Sequence, residues 1–534
     1  MQIKNLTIRL KKDGRTIIDN LSFSINDGDR LALIGEEGNG KSTLLKAITN
    51  AEDFLNYAEI SGEISCDEST AMVPQIATSD VLDKSLSDLI YSNDGPSVDI
   101  SDFYKAITAF NVDVSDLERK LETYSGGERM KILISLAIAK SPSLLVLDEP
   151  TNDIDFKSME VLEKILKDFK GKIIFASHDT YFIQNIATKI MHFELIQNKT
   201  KSRITVSGND YDSYIKLRED QILTQAQRAK NDKARIEEKE ERWRRVHDSV
   251  EHDLRKEKND RLGRYLKKTM HEVKAHEKLI EWEKEKMTQM PDFEEQIFVN
   301  YNKEKLIENG KCVLNLHLDE LKVADKKLAD NIDLESYGKN KIAIVGKNGA
   351  GKTTLLSIIK DNISKDLRIS YMPQNYEDEL ITHNNAIEYL KVDYTKEEET
   401  KIRTYLASLK FTRDEVINKI SELSGGQKAK LFFAKMQLME PDVLVLDEPT
   451  RNISPLSLPA ISDEMKNFGG AIFFVSHDRY FINHVANDIY ELDENGLNKI
   501  DKIWYKHKNK TLHLQGLTSI YSNKTIFLRI VNSF

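Results

Sequence analysis

Short runs that are apolar at nearly every position punctuate this chain. "DRLALIG" ends at Gly35 and "NKIAIVG" ends at Gly346. Each leads into a glycine-rich turn and then a helical pattern, "KSTLLKAI" and "KTTLLSII". "SLLVLDE" and "DVLVLDE", then "KIIFAS" and "AIFFVS", are further runs of the same kind. A run without alternation predicts a strand covered on both faces, as in a parallel sheet packed between helices. The opening "MQIKNLTIRLKKDG" does alternate and reads as a strand. The predicted class is α/β.

The runs form two ordered sets. "MVPQ" ending at Gln75 recurs as "YMPQ" ending at Gln374, and "YSGGE" at Tyr124–Glu128 recurs as "LSGGQ" at Leu423–Gln427. "LLVLDEPT" ending at Thr151 recurs as "VLVLDEPT" ending at Thr450, and "SHD" around His178 recurs around His477. From the glutamine to the histidine the offset is constant at 299 residues, so one domain-sized module stands twice in tandem. The preceding lysines, Lys41 and Lys352, are 311 apart. The first copy therefore holds about a dozen extra residues around "AEDFLNYAEISGEIS".

Between the copies the period changes. Ile215, Ile222, Ala229, Ile236, Trp243 and Val250 recur every seven residues, as do Leu266, Val273, Ile280 and Met287. One apolar residue per heptad suits a single narrow seam between two helices. It predicts an antiparallel hairpin that turns between about Val250 and Gly263 and ends at Pro291. At 1.5 Å per residue the first helix would project roughly 50 Å. The expected organisation is a first α/β domain at 1–215, a helical linker at 216–290 with its tip near 245–265, a second domain at 291–505, and a tail at 506–534. That tail is basic, with five Lys/Arg and no acid.

Composition agrees with this layout. A length of 534 residues exceeds one hydrophobic core. The net charge of −9 argues against a general nucleic-acid binder, but the charge is uneven. Residues 216–290 hold 21 Lys/Arg against 17 Asp/Glu, which leaves −13 on the remainder. Cys66 and Cys312 are too few for a disulfide framework, and their separation fits no metal motif. No apolar run approaches the ~20 residues of a membrane helix, and the first residues carry no leader-like core. A cytoplasmic location is expected.

The turns carry the candidate chemistry. G-x-x-x-x-G-K-[ST] between strand and helix cradles phosphates with inward-facing backbone N–H groups and a helix N-terminus. Gly35, Gly38, Asn39, Gly40, Lys41, Ser42 and Thr43 form the first such loop. Gly346, Asn348, Gly349, Gly351, Lys352, Thr353 and Thr354 form the second. The lysines can reach the β- and γ-phosphates, and Ser42 and Thr353 can hold Mg²⁺. Asp148 and Asp447 end apolar strands where a carboxylate also reaches the metal, while Glu149 and Glu448 stand next to them to polarise a water. His178 and His477 end the following strand and could touch the γ-phosphate. "SGGE" and "SGGQ" open amphipathic helices, giving a second anion site at each.

The distal linker is rich in base: Arg242, Arg244, Arg245, Arg255, Lys256, Lys258, Arg261, Arg264, Lys267 and Lys268, with Trp243 and Tyr265 among them. A solvated spacer is the plain reading of such a segment. A basic tip with aromatics on a projecting stalk instead fits RNA, through phosphate contacts and base stacking.

These motifs resemble the nucleotide-binding domains of ATP-binding-cassette (ABC) proteins, over nearly the whole chain. The resemblance implies a fold of two tandem P-loop ABC domains joined by a long α-helical hairpin. It implies ATP sandwiched head to tail within one monomer. One site would use Lys41, Ser42, Gln75, Asp148, Glu149 and His178, closed by Ser424, Gly425, Gly426 and Gln427. The other would use Lys352, Thr353, Gln374, Asp447, Glu448 and His477, closed by Ser125, Gly126 and Gly127. Gln75 and Gln374 would join the Mg²⁺ ligands. Tyr124 and Glu128 depart from the usual Leu and Gln of the signature, and Ser454 stands where Asp155 does. The family's carboxylate at that point reaches across the dimer, so unequal sites are expected. Neither Lys12 nor Val323 supplies an adenine-stacking aromatic.

With both domains on one chain and no membrane span, the chain further resembles the ABC-F family. Its members bind the ribosome at the tRNA exit site with ATP bound, extend the linker along P-site tRNA and large-subunit rRNA, and leave after hydrolysis. Short arms and an extended linker resemble the branch that relieves inhibition by lincosamides, pleuromutilins and streptogramin A. A housekeeping translation factor and, further off, a transporter ATPase are the alternatives.

Overall fold

The computed structural model describes residues 1–500 except 13, 50–53, 66–68, 92–97, 198–200, 257–259, 292–306, 324–325, 377–379, 381–383, 392–394 and 410. The basic tail, Cys66 and Lys258 lie outside the described residues.

The first half contains β1 (Gln2–Leu10), β2 (Thr16–Ser24), β3 (Arg30–Gly35), β4 (Ala58–Ser65), β5 (Thr70–Val73), β6 (Leu144–Asp148), β7 (Lys172–Ala176), β8 (Lys189–Ile196) and β9 (Lys201–Ser207). Its main sheet has the order β5-β6-β7-β3-β8-β9, parallel except at the β8–β9 edge. Every residue of β6 and β7 is buried, which is why these runs show no alternation. A second, antiparallel sheet has the order β2-β1-β4. β4 comes from the extra residues of the first copy, so the insertion adds a strand and leaves the spacing of the later motifs untouched.

The second half repeats the design with β10 (Cys312–Val323), β11 (Lys326–Tyr337), β12 (Lys341–Gly346), β13 (Ile369–Met372), β14 (Val443–Asp447), β15 (Ala471–Val475), β16 (Asp488–Asp493) and β17 (Gly496–Ile500). The order β13-β14-β15-β12-β16-β17 matches the first sheet strand for strand. β10 and β11 pair as an antiparallel ribbon. In both halves the central strand, β3 or β12, runs into the glycine-rich loop. The adjacent strand, β7 or β15, ends in the Ser–His–Asp turn, and the strand beyond it, β6 or β14, ends in the Asp–Glu pair. The chemistry therefore gathers at the carboxyl ends of parallel strands, where α/β sheets bind ligands.

A separate compact unit begins at Asp212. Helices Tyr211–Lys256 and Asp260–Glu285 run antiparallel within it. The heptad positions Ala229, Ile236, Val250, Val273 and Ile280 are buried, while most of the residues between them are exposed. Lys239 pairs with Glu283 at 2.6 Å and Lys284 with Glu240 at 2.8 Å across the hairpin. The first helix has 46 residues, or about 69 Å, longer than expected because the helical pattern extends at both ends. The second helix stops at Glu285, before Pro291. Thr288 donates from both its N–H and its hydroxyl to Asp232, which turns the chain out of the helix early.

Candidate active site

Each phosphate loop is shaped by glycines that nothing larger could replace. Gly35 has φ 142°, and a Cβ there would fall 2.3 Å from the carbonyl oxygen of Phe193. Gly40 has φ 98°, with its Cβ position 2.1 Å from Ile17. The loop therefore lies flat on β8 and β2 and opens the helix Lys41–Ile48. Lys41 is buried, its ammonium donating to the carbonyls of Gly35 and Glu36 at 2.8 and 3.0 Å. Lys352 does the same toward Gly346 and Lys347, both at 2.9 Å. Each ammonium is thus poised at the centre of an anion cradle, and Ser42, Thr43, Thr353 and Thr354 follow on the first helical turn.

The acidic residues sit where the strand ends predicted. Ser42 Oγ donates to Asp148 at 3.2 Å, and burial pushes the Asp148 carboxyl up to about 6. Asp447 is 1% exposed, burial likewise raises it to about 6, and both its oxygens are buried without a hydrogen-bond partner among the described residues. Orphaned carboxylate oxygens beside a hydroxyl and a phosphate cradle suit a hard divalent cation such as Mg²⁺. Burial also pushes Glu149 to about 7 and depresses His178 to about 3. His178 Nε2 lies 3.3 Å from Glu149. In the second half the corresponding His477–Glu448 distance is 3.6 Å.

The two domains face each other as the resemblance implied. The Glu37 carboxylate, in the first phosphate loop, accepts at 2.5 Å from the N–H of Gly426 in the second signature. Asn348, in the second loop, donates to the carbonyl of Asp153 at 2.5 Å, and a Cβ on Gly127 would lie 3.2 Å from that amide. A cavity of about 510 Å³ opens beside the second loop, lined by Gly349, Gly351, Lys352, Thr353, Thr354, Gln374, Asp447, Glu448 and His477 from one domain and by Asp153 and His178 from the other. Val323 and Leu328 form its apolar wall, where the sequence supplies no aromatic. Gln75 is exposed just after β5.

Some expectations are corrected. Asp155 does not bond across the domain interface. It binds Lys131 at 2.7 Å and caps the helix Phe156–Asp168 through Ser158, so its oxygens are used within its own domain. Gln427 is not aimed at nucleotide, because its side chain caps the signature helix and its amide donates to Glu415. Glu128 makes the same cap around Ser125, which explains how Glu replaces Gln there. Asn39 anchors its loop to Phe193 instead. Gly126 and Gly425 keep the two helix N-termini open.

On the hairpin, Trp243 is not a free stacking platform. Its indole N–H donates to the Val273 carbonyl at 2.9 Å and its ring stacks on His247, so it belongs to the seam. Tyr265 is 65% exposed. Arg242, Arg245 and Arg255 form i,i+4 pairs with Glu238, Glu241 and Glu251. Such exposed pairs hold weakly and leave the arginines available. Arg244, Lys256, Arg261, Arg264, Lys267 and Lys268 are exposed.

Sequence reasoning missed Glu36, Glu37, Asn348 as a cross-domain donor, and Lys430. The signal was present in the aligned loops: "GEEG" in one copy against "GKNG" in the other inverts a charge.

Comparisons with known proteins agree with this geometry. The family model described as "ABC transporter" matches residues 18–152 and 329–451. The ATP-binding protein Uup of Buchnera aphidicola (subsp. Acyrthosiphon pisum) is 29% identical over 97% of this chain and 85% of its own length. The ribosome protection protein VmlR of Bacillus subtilis is 28% identical over 91% of this chain and 85% of its own. An archaeal ribosome recycling factor, solved with a ribosomal stalk protein, shares the fold with a TM-score of 0.57 at 15% identity, covering 92% of this chain and 89% of that one. No described helix is long and apolar enough to cross a membrane. Two domain matches at the two phosphate loops, and relatives spanning nearly the full length, show an ATPase built from two tandem ATP-binding-cassette domains.

Proposed function

We propose that this ATPase is a clamp that binds the ribosome when closed on two ATPs and leaves after hydrolysis. The observation that carries this is the crossed arrangement of loops: each phosphate loop bonds to the opposite domain, at Gly426 and at Asp153. Nucleotide bound at either loop would then be completed by the other domain, which is how ATP can close a clamp. Lys41 and Lys352 neutralise the phosphates, and the N-termini of the signature helices at Ser125–Gly127 and Ser424–Gly426 receive the γ-phosphate from the opposite side. Mg²⁺, held by Ser42, Gln75 and Asp148 in one site and by Thr353, Gln374 and Asp447 in the other, would offset the charge on the leaving group. Glu149 and Glu448 polarise the attacking water, with His178 and His477 beside them.

The hairpin supplies the RNA-directed part, reaching toward large-subunit rRNA and P-site tRNA from the tRNA exit site. Its exposed bases and Tyr265 support that reading, as does the likeness to a ribosome protection protein along most of the chain. The finer reading is protection of a cytoplasmic ribosome from lincosamides, pleuromutilins and streptogramin A. The similarity to the Buchnera protein is no lower than that to the ribosome protection protein, which favours keeping a housekeeping translation factor as the second reading.

The test is co-sedimentation with ribosomes of the Glu149→Gln/Glu448→Gln variant. Pelleting that requires ATP supports the clamp; a variant left in the supernatant at low salt with ATP overturns it. In vitro translation with each drug then separates the two readings. The wild type restores synthesis if it protects, and leaves inhibition unchanged if its role is housekeeping.

A further inference from the structure

Two lysines on the signature helices stand at equivalent positions, Lys131 and Lys430, yet they find their carboxylates in different places. Lys131 binds Asp155 of its own domain at 2.7 Å. In the second domain the equivalent of Asp155 is Ser454, and no carboxylate is available at that position in cis. Lys430 instead lies 3.3 Å from Glu36, which arrives from the first domain's phosphate loop. Ser454 Oγ and Ser457 Oγ both donate to the same glutamate, at 3.1 and 2.7 Å. Both charged side chains are 8% exposed. The equivalent of Glu36 in the second loop is Lys347, which is exposed and lines a small cavity with Asp155.

We propose that Glu36 is a positioning residue for hydrolysis at the site built on Lys41 and Glu149, supplying in trans the carboxylate that Asp155 supplies in cis. A buried glutamate with one ammonium and two hydroxyls around it is stable only while the domains are closed. Separating them would break the Glu36–Lys430 pair and return both charges to water. Because Glu36 immediately follows Gly35, this contact fixes the phosphate loop relative to the opposing signature helix and aligns Lys41 with it. The other site lacks this lock, so the two sites close by different chemistry.

This inference rests on the clamp reading above, and the test keeps the two apart. Steady-state ATPase of the full chain is measured in two backgrounds. Glu448→Gln leaves turnover to the Lys41 site, and Glu149→Gln leaves it to the Lys352 site. If neither background changes turnover relative to wild type, the clamp reading itself fails before Glu36 is touched. With the backgrounds established, Glu36→Gln should lower kcat by about tenfold at the Lys41 site, with KM within about twofold, and the loss should be confined to that background. Ser454→Asp alone should also lower kcat there, since two carboxylates would crowd one lysine. Combining Ser454→Asp with Glu36→Gln should restore kcat to within about threefold of the parent, because the carboxylate has moved from trans to cis. Equal losses in both backgrounds, or no restoration in a folded double variant, overturn the proposal. Should Ser454→Asp fail to fold, the cycle of Glu36→Gln with Lys430→Met reads the same pair. A double variant no worse than Lys430→Met alone supports the contact, and additive losses overturn it.

Discussion

His178 Nδ1 lies 3.1 Å from the carbonyl oxygen of Ile453, so the histidine of the first domain is held by the loop of the second. A carbonyl only accepts, so Nδ1 carries the proton. Nε2 then presents a lone pair to Glu149, 3.3 Å away, and the depression of the ring to about 3 means it stays neutral. The Glu149 carboxyl accepts instead from the backbone N–H of His178 at 3.1 Å, and burial raises that carboxyl to about 7. Water polarisation needs the carboxylate. In the Glu448→Gln background kcat/KM for ATP should therefore rise with pH through about 7, with no limb from His178 between pH 5 and 8. A flat profile over that range would contradict the assignment.

Glu37 places a carboxylate against the N–H of Gly426, where a phosphate oxygen would be received. In the second loop Asn348, a neutral residue, holds the equivalent place. Glu37→Asn should remove an anion that competes with ATP for the same donors and raise nucleotide affinity at the Lys41 site by about threefold to tenfold. Titration of a fluorescent ATP analogue into the Glu149→Gln/Glu448→Gln variant, with and without Glu37→Asn, measures this.

Asp447 is a buried carboxylate whose oxygens have no hydrogen-bond partner among the described residues, so it costs stability in the nucleotide-free protein. Its carboxyl titrates at about 6 when folded, against the ordinary 3.8. The folded state therefore binds the proton more tightly, and stability falls as pH rises from about 4 through about 6. Asp447→Asn should raise the Tm of nucleotide-free protein at pH 8 by about 2–4 °C, with a smaller gain near pH 4.5. The same change should abolish turnover in the Glu149→Gln background. Thermal melts at the two pH values check the sign.

Two aromatics on the hairpin should behave in opposite ways. Trp243→Ala opens the seam at Val273 and should cost about 3 kcal/mol of hairpin stability, seen as reduced helicity on mild heating. Tyr265→Ala should leave the melt unchanged and weaken ribosome binding. Lys267→Gln/Lys268→Gln should weaken it further and flatten the dependence of log affinity on log salt by about 0.7 for each phosphate that is no longer neutralised.

The sheets, the loops and the hairpin were legible because each rests on local pattern. β6 and β7 are apolar throughout because both faces are covered, and Ala229, Ile236 and Val250 recur at seven because one seam is. The repeat then identified the chemistry, since a motif found twice at constant offset is not accidental. Contacts between distant residues were not legible. Trp243 read equally as seam and as stacking platform, and only its bond to Val273 decides. Asp155 was expected to cross the interface, but Lys131 lies closer in its own domain. Glu36 and Lys430 are 394 residues apart, and nothing near either one names the other.

The inverted charge in the phosphate loops also bears on which halves can pair. Two copies of the first half, brought together head to tail, would press Glu36 against a lysine already neutralised by Asp155, leaving a carboxylate buried without a counter-ion. Two copies of the second half would set Lys347 opposite Ser454, with no acid from the facing loop for either Lys430. Only the mixed pair gives both Lys131 and Lys430 a carboxylate and leaves Glu36 with a counter-ion. The duplicated modules have thus ceased to be interchangeable, and the linker that joins them keeps together two surfaces that each recognise the other and reject themselves.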